Sequence, residues 1–445
     1  MSEIPLVIDN GSYEIKFGFA NSSRPFRSLN TLGKDKYDAL YLGNQIKNIK
    51  DISAVTLHRP HKLGQLTSWE LQSCLWDYCL YNPDEFDGFH LDNSIRDTHL
   101  VTNETCLTIP ELSKNMDQVI FEEYEFVSLY KAPSMAYIPF ASLNNNNNNS
   151  GSDDNDTDNN NTIIFDKGKI EQTNSNIMSL DDSKNRKEYR DFQLVVDSGY
   201  NCTWVCPIIK GIPYYKAVKK LDIGGRFLNG FLKETLSFRH YNMMDETILV
   251  NNIKEKCLFM SPLSYFDSFK NRMDKSLQYV LPDFHTSFLG YIHDPQDPGD
   301  SSKLPSNAQT ITLVDERFMI PETFFHPEMA KLLKPGLVET ILESISMLPE
   351  LLQPLMVGNI VCTGGNFNIP HFVSRLTNEL QRQLPTDWNC RIITNKKDNE
   401  LSNWYAMSEF ATTDAYKSVR ITREEYWEHG IEWCTKNRFG YQNWI

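Results

Sequence analysis

Hydrophobic positions along this chain form two kinds of run, and the two kinds alternate. Short runs rich in β-branched residues are typical of strands, and they cover 4–8, 194–196, 203–209 and 359–362. Longer runs with helical spacing cover 67–78, 227–236, 335–348 and 370–383. Strands that alternate with helices favour α/β layers over a β-sandwich or a helical bundle. Thr67–Glu70 is expected to open its helix, and Pro335 is expected in the first turn of another.

Two of the predicted strands end in the same short pattern of Asp, a small polar residue and Gly. The first copy is Asp9-Asn10-Gly11-Ser12, with Lys16 shortly after it, and the second is Asp197-Ser198-Gly199. Glycine lets the backbone of a tight turn approach a phosphate closely, and the N–H groups of such turns can bind an anion. The aspartate can hold a hydrated Mg²⁺. One copy occurs by chance in many strand ends, but two predict a duplicated α/β unit with a nucleotide between the copies.

Composition is consistent with a globular protein of two or three domains. The chain has 445 residues, of which 40% are hydrophobic and 12% are aromatic. The N-terminal residues have no basic region, and no apolar run approaches the length of a membrane span, so we expect neither a secretory signal nor a membrane protein. The nine cysteines are odd in number and scattered, and Cys74, Cys362 and Cys390 lie in apolar surroundings, which indicates a reducing compartment and structural thiols rather than zinc ligands.

The formal net charge of −14 argues against broad electrostatic capture of nucleic acid. Local basic clusters at 210–220 and 420–423 leave a DNA contact open, although a charge cluster is more often a solvated face. Residues 141–190 contain a low-complexity Asn/Asp/Ser tract with too few apolar residues to offset its ordering entropy. We therefore predict a disordered surface insertion over 141–190.

From end to end, apart from that tract and part of 260–310, the chain resembles actin and the actin-related proteins. The resemblance rests on the two Asp-containing loops and on four further motifs, Asp222–Arg226, Ile253–Lys256, Thr363–Asn366 and Ile421–Tyr426. It implies a duplicated ribonuclease-H-type α/β fold with two lobes around a central nucleotide cleft. The first lobe would comprise 1–140 and 405–445, and the second would comprise 191–404.

The same resemblance implies a ligand and the residues that would hold it. The ligand would be ATP or ADP with Mg²⁺, and Asp9 and Asp197 would hold the metal through water. The candidate nucleotide-binding residues are Asp9, Gly11, Ser12, Lys16, Asp197, Ser198, Gly199, Lys254, Glu255, Gly364 and Gly365. An alternative stays open, in which these residues persist as fold determinants: Gly for turns, Asp for caps, and Lys254 with Glu255 for an ion pair between the lobes.

Several residues depart from the actin pattern where hydrolysis would take place. Tyr13 stands where actin has a glycine, and Tyr200-Asn201 stands where actin has Asp-Gly. The rings either turn outward or fill space near the phosphates, and Tyr200 removes a carboxylate from the metal site. Ser134 aligns with the glutamine that positions water in actin, and Pro133 beside it would disturb a helix interior. Serine is too short for that role, so we expect hydrolysis to be lost.

Further motifs indicate a subclass within the family. Arg59–Trp69, Leu107–Leu112 and both loops with their tyrosines are similar to the sixth class of nuclear actin-related proteins. That resemblance implies a non-catalytic scaffold subunit of a Swr-type chromatin-remodelling complex, which exchanges a histone variant into nucleosomes. Its partners would be the remodeller ATPase subunit and a zinc-finger HIT protein, with nucleosome or DNA contact through the complex.

The same class implies a location in the nucleus, and also in the cytoplasm. The segment Thr31–Asp51 is short beside the corresponding loop of actin, which argues against filament formation. The alternative function is an actin-fold ATPase that polymerises or cycles with ATP.

Overall fold

The computed structural model describes residues 4–49, 52–91, 93–141, 191–262, 264–273, 275–283, 289–293, 308–395 and 398–438. The predicted insertion at 141–190 lies outside the described residues, apart from Ala141. Two six-stranded mixed sheets form the centre of the molecule, and helices pack on both. This architecture confirms the predicted actin-like α/β fold.

The first sheet is built around a strand that lies wholly inside the protein. In spatial order its strands are Ile421–Thr422, Ser128–Pro133, His99–Glu104, Leu6–Asn10, Glu14–Phe19 and Phe26–Leu29. Every residue of Leu6–Asn10 is buried. This strand pairs antiparallel with Glu14–Phe19 and parallel with His99–Glu104, so its loop opens at an edge shared by several strand ends.

The second sheet repeats the arrangement of the first. Its main path runs Ile212–Pro213, Thr203–Ile209, Phe192–Ser198, Ile360–Thr363 and Ile392–Thr394, and Lys219–Leu221 also pairs with Thr203–Ile209. Phe192–Ser198 is antiparallel to Thr203–Ile209 and parallel to Ile360–Thr363, just as Leu6–Asn10 is placed in its own sheet. The duplication predicted from the two loops is therefore present in the strand order.

Three small sheets complete the β-structure. They comprise Leu40–Leu42, Leu32–Asp35 and Val55–His58; Tyr291–His293, Leu277–Val280 and Thr310–Leu313; and the hairpin of His61–Lys62 with Gln65–Leu66. Short 3₁₀ turns lie at Gly43–Asn48, Ile52–Ala54, Asn93–Asp97, Ile138–Phe140, Tyr215–Ala217, Pro327–Ala330, Gly365–Asn368 and Asn399–Leu401, and a π turn lies at Val119–Glu123.

The described α-helices include all four that the apolar spacing predicts. They are Trp69–Tyr81, Pro110–Gln118, Ser134–Tyr137, Gly225–Arg239, Thr247–Cys257, Tyr265–Lys270, Glu316–Glu322, Leu337–Ser346, Gln353–Val357, Phe372–Gln383, Ser402–Ala411, Asp414–Val419, Arg423–His429 and Ile431–Asn437. Among the described residues, no helix is both long and apolar enough to span a membrane.

Two of the predicted helix starts have different outcomes. The Ser68 side chain accepts a hydrogen bond from Leu71 N, which confirms a helix start at Thr67–Glu70. Pro335, in contrast, lies before its helix and not in the first turn. Gly336 is extended there, and its carbonyl accepts the first helical hydrogen bond from Thr340 N, so the helix begins at Leu337.

One hydrophobic cluster joins the two sheets. Val7 and Val101 of the first sheet belong to it together with Val195 and Val361 of the second. The helix Ser402–Ala411 packs into the same cluster and is fixed to the first sheet by a hydrogen bond from Trp404 Nε1 to Val7 O (3.3 Å). The predicted lobe boundary between 404 and 405 falls inside this helix, and the lobe assignment stays a prediction.

The cysteines are mostly enclosed in apolar surroundings. Cys362 and Cys390 are buried, as expected, whereas Cys74 is exposed because it lies on the solvent face of the helix Trp69–Tyr81. Burial raises the pKa of the Cys390 thiol to about 11. In the part of the chain that the structure describes, no group of three or more His, Cys, Asp or Glu side chains is arranged to hold a metal ion.

Gly364 is the glycine with the strictest conformational requirement near the two loops. Its φ is +98°, and a Cβ atom there would lie 2.2 Å from the Ser198 carbonyl oxygen. We predict that Gly364→Ala lowers the free energy of unfolding by more than about 3 kcal/mol, measured by urea denaturation. The control is Gly230→Ala inside the helix Gly225–Arg239, where a Cβ meets no atom within 4 Å. Equal stability of the two variants would contradict the prediction.

Candidate functional site

A cavity of about 670 Å³ lies where the two copied loops face each other. Ten of the eleven candidate residues line it: Asp9, Gly11, Ser12, Lys16, Asp197, Gly199, Lys254, Glu255, Gly364 and Gly365. The eleventh, Ser198, is fully buried behind the loop, and its hydroxyl lies 2.8 Å from Thr203 Oγ1. The structure thus brings the candidate residues to one place and gives Ser198 a supporting position.

The first loop holds its carboxylate by two close contacts. Lys16 lies directly opposite Asp9 in the antiparallel hairpin, and its Nζ is 3.0 Å from Asp9 Oδ2. The Asn103 amide donates to Asp9 Oδ1 (2.6 Å), and Asn103 Oδ1 accepts from Asn10 N (2.7 Å). Burial disfavours the Lys16 charge, but the negative charges of Asp9 and Glu14, with the hydrogen bond to Asp9, outweigh burial together and raise the pKa of Lys16. The charge of Asp9 is therefore neutralised within its own hairpin.

The second loop leaves its carboxylate without such a counter-charge. Asp197 accepts long hydrogen bonds from Thr363 Oγ1 (3.3 Å) and Asn403 Nδ2 (3.4 Å), and no described Lys or Arg forms an ion pair with it. Burial, together with the negative charge of Asp9, raises the pKa of Asp197 to about 6. A divalent cation near Asp9 and Asp197, held directly or through water, would offset this repulsion.

Lys254 lies on the other side of the cavity and is a buried positive charge without an ion-pair partner among the described residues. Its Nζ donates to Asn251 Oδ1 (2.9 Å), and among the described residues it has no carboxylate at ion-pair distance. Burial lowers the pKa of Lys254 to about 8; the charge of Glu255 opposes this shift, and the charge of Arg59 adds to it. Glu255 instead accepts from Asn251 Nδ2 (2.8 Å), so the described contacts give no support to an ion pair between the lobes from Lys254 and Glu255.

The turn that contains Gly364 and Gly365 connects the back of the cavity to the second loop. Gly364 approaches Ser198 closely, and the Asn366 amide donates to the carbonyl of Gly199 (2.7 Å). A cation would therefore be favoured at Asp197, and an anion would be favoured at Lys254. A nucleotide phosphate with Mg²⁺ carries both charges, and the residues present fit such a group.

Tyr13 and Tyr200, the two tyrosines that depart from the actin pattern, line the cavity. Of the two orientations that the sequence left open, the structure has the one in which the rings point toward the cavity. The Tyr13 and Tyr200 rings contact each other at the wall of the cavity, with centroids 5.0 Å apart and planes at 36°. The Arg59 guanidinium lies 5.2 Å from the Tyr13 centroid and 4.7 Å from the Tyr200 centroid. Asn201 also lines the cavity, and its buried amide nitrogen has no hydrogen-bond partner among the described residues. The rings therefore fill space beside the loops.

Ser134 lines the cavity and is held by the same asparagine as Asp9. Its hydroxyl accepts from Asn103 Nδ2 (2.7 Å) at the start of the helix Ser134–Tyr137. The expectation that Pro133 disturbs a helix interior was wrong, because Pro133 ends the strand Ser128–Pro133 and precedes the helix. The backbone of Pro133 is extended there, where its fixed φ and missing N–H do no harm.

Four residues of the site were missed by sequence reasoning about chemistry. They are Asn103, Asn251, Asn366 and Arg59. Asn103 could have been found from the parallel pairing of Ile8 with Thr102, which places the next residue beside Asp9. Arg59 was visible only as part of a subclass motif, since its position over the two rings depends on tertiary packing.

The raised pKa of Asp197 predicts an effect on stability. Its pKa is about 6 in the folded protein against 3.8 ordinarily, so the ionised form opposes folding at neutral pH. Asp197→Asn should raise the free energy of unfolding by about 1–3 kcal/mol at neutral pH without Mg²⁺. The gain should shrink as the pH falls from about 6 to about 4, because wild-type Asp197 then takes up a proton.

Urea denaturation across this pH range, with a chelator present, measures the effect. Asp222→Asn is the control, and its effect on the free energy of unfolding should have the opposite sign. Hydrogen bonding to Lys334 lowers the pKa of Asp222, so loss of this carboxylate should destabilise the protein. An Asp197→Asn protein that is less stable than wild type at neutral pH would refute the prediction.

Comparisons with known proteins agree with this fold. The family model described as Actin matches residues 2–439. The chain is 62% identical to "Actin-like protein ARP6" of Saccharomyces cerevisiae, with all of both chains covered, and 57% identical to the protein of the same name in Kluyveromyces lactis, again with both chains fully covered. It is 29% identical to "Actin-related protein 6" of Neurospora crassa, over 97% of this chain and 93% of that protein. The chain therefore belongs to the actin family.

Proposed function

We propose that this protein is a non-catalytic scaffold subunit of a chromatin-remodelling complex that exchanges a histone variant into nucleosomes and so supports transcription regulation. The observation that carries the non-catalytic part is the position of Ser134, whose hydroxyl is engaged with Asn103 inside the cavity. The assignment to a remodelling complex is supported by the subclass motifs. The names of the relatives, actin-like protein ARP6, agree with that subclass.

The proposed loss of hydrolysis is supported by what the cavity offers an attacking water. Hydrolysis of a terminal phosphate needs a group that orients water in line with the bond to be broken. A serine hydroxyl at position 134 is too short for this task, and it is already within 2.7 Å of Asn103 Nδ2. The Tyr13 and Tyr200 rings occupy space beside the loops. The motor ATPase of the complex would be a different polypeptide.

Nucleotide is proposed as a structural ligand. Asp9 and Asp197 would hold Mg²⁺, Lys254 would meet the negatively charged ligand, and the Gly11 and Gly199 turns would leave space for its phosphates. Bound ATP or ADP would supply charge neutralisation between the lobes. The protein's own residues would then orient the ligand without moving a proton or activating a water.

The proposed partners are a remodeller ATPase subunit and a zinc-finger HIT protein, with nucleosome or DNA contact through the complex. The proposed location is the nucleus, and also the cytoplasm. Large exposed aromatic side chains are compatible with partner surfaces, and they include Phe238 (91% exposed), Phe266 (72%) and Trp427 (63%). Filament formation is not expected.

A polymerising or ATP-cycling actin is the second candidate. The observation that favours it is the retained pairing of Lys16 with Asp9 and the facing carboxylate of Asp197, because these charges suit a metal-bound nucleotide. The two candidates predict different rates of ATP turnover and different partner proteins.

Affinity purification of the tagged full chain from nuclear extract, followed by mass spectrometry, tests the scaffold proposal. We expect stoichiometric recovery of a large remodelling ATPase and a zinc-finger HIT protein at moderate salt, with untagged extract as the control. Recovery of the protein alone, or with filament-binding proteins, would favour the polymerising ATPase.

Thermal unfolding with and without Mg²⁺ and ATP or ADP tests the structural-ligand proposal. Saturating ligand should raise the melting temperature of the wild-type protein, because it binds only the folded state. Asp197→Asn should remove this rise, since the variant lacks the carboxylate without a counter-charge. An unchanged rise in the variant would show that this carboxylate serves no metal site.

A further inference from the structure

We infer that Tyr13, Arg59 and Tyr200 form a latch that holds the two loops of the cleft together without help from a nucleotide. We name these three residues the latch. The inference goes beyond the proposed function, because the latch would fix the two lobes relative to each other whether or not the protein joins a complex.

The latch joins three segments that are remote in the chain. Tyr13 lies in the turn after the strand Leu6–Asn10, and Tyr200 lies in the turn after Phe192–Ser198, so each ring belongs to one of the duplicated sheets. Arg59 follows the strand Val55–His58. Its guanidinium lies within 5.2 Å of one ring centroid and 4.7 Å of the other, so a single side chain contacts both loops.

Directional contacts fix the latch from both sides. Arg59 Nη1 donates to the carbonyl oxygen of Ser12 (3.3 Å), which anchors the guanidinium to the first loop. On the other side, Asn251 Nδ2 donates to the Tyr13 hydroxyl oxygen (3.0 Å). Tyr13 therefore contacts the second half of the molecule twice, through the ring of Tyr200 and through the helix Thr247–Cys257 that carries Asn251.

The charges around the latch favour a retained cation–π contact. Arg59 has no ion-pair partner among the described residues, so no carboxylate competes for its guanidinium. Burial, aided by the charge of Glu255, raises the pKa of Tyr13, and the phenol stays neutral at physiological pH. A cation over partly desolvated aromatic faces is attracted more strongly than at an exposed site.

The other charged contacts near the mouth of the cleft are weaker candidates for holding it. Arg24 with Asp398 and Arg27 with Glu400 both connect first-sheet segments to the chain before the helix Ser402–Ala411. The Arg24 side chain is 72% exposed and that of Arg27 is 42% exposed. Exposed ion pairs contribute little because water and salt screen them. The rings of the latch are half-buried, so its contacts depend less on such screening.

This arrangement changes the role of a ligand in the cleft. The two loops meet through Tyr13 and Tyr200, so a phosphate group is not needed to bring them to a fixed distance. A nucleotide that enters finds loops that are already held, and its binding should alter their separation little. The protein would present the same surface to a partner with or without nucleotide.

Hydrogen exchange of the full chain, freed of nucleotide and Mg²⁺, tests the latch. Arg59→Ala should speed exchange of peptides covering 10–16 and 197–204 by about tenfold, because the loops then separate more often. Arg382→Ala is the matched control, since Arg382 is exposed and, among the described residues, pairs with Glu379 of its own helix. The control should leave both peptides unchanged.

Three further variants separate the latch from a general loss of stability. Tyr200→Phe keeps the aromatic face and should exchange like wild type, whereas Tyr200→Leu keeps bulk without that face and should exchange like Arg59→Ala. Arg59→Lys keeps the charge but loses the planar group, and it replaces Arg59→Ala if that variant does not fold. Exchange at both peptides that is equal in wild type, Arg59→Lys and Tyr200→Leu would overturn the inference.

Addition of Mg²⁺ and ADP gives the last comparison. The ligand should slow exchange of these two peptides more in Arg59→Ala than in wild type, because the wild-type loops are already together. A wild-type protein whose loops become protected only with ligand, to the same degree as in the variant, would also overturn the inference.

Discussion

Two like charges meet in the centre of this molecule, and the residues around the cleft are arranged to accommodate them. Each duplicated hairpin brings an aspartate to the end of a buried strand, so Asp9 and Asp197 face one cavity. Lys16 neutralises the first, but no described Lys or Arg forms an ion pair with the second. Lys254, also buried, lacks a carboxylate partner among the described residues. The cavity thus keeps the charges that would suit a metal-bound phosphate.

Beside this preserved charge pattern, the groups that would promote hydrolysis are altered. The Asn103 amide donates to both Asp9 and Ser134, so the residue that aligns with the water-positioning glutamine of actin belongs to a hydrogen-bond chain. Tyr13 and Tyr200 replace small or acidic residues of the actin pattern and contact each other through their rings. We therefore propose that the cleft is a structural element of a scaffold and that the latch keeps it closed.

Much of the fold was predictable because it depends on local patterns. The apolar runs predict the central strands and four of the helices, and two Asp-containing loops predict the duplication. The error at Pro335 arose because an extended Gly336 separates it from the helix, a backbone choice that apolar spacing does not encode.

The site was predictable in part. Asp9, Lys16 and Asp197 belong to motifs, so the sequence identifies them, and Lys16 opposite Asp9 follows from hairpin register. The Tyr13 and Tyr200 rings contact each other, and Arg59 lies over both. These contacts depend on how the two sheets and the segment after the strand Val55–His58 pack together. No local pattern carries that information, so the sequence left the ring orientation open.

The central claim is that this actin-fold cleft does not turn over ATP. The most direct measurement is single-turnover hydrolysis, with the purified full chain and Mg²⁺ in excess over radiolabelled ATP. We expect ADP to form no faster than in the same buffer without protein. ADP that forms at a rate proportional to protein concentration would contradict the account and return the ATP-cycling alternative to first place.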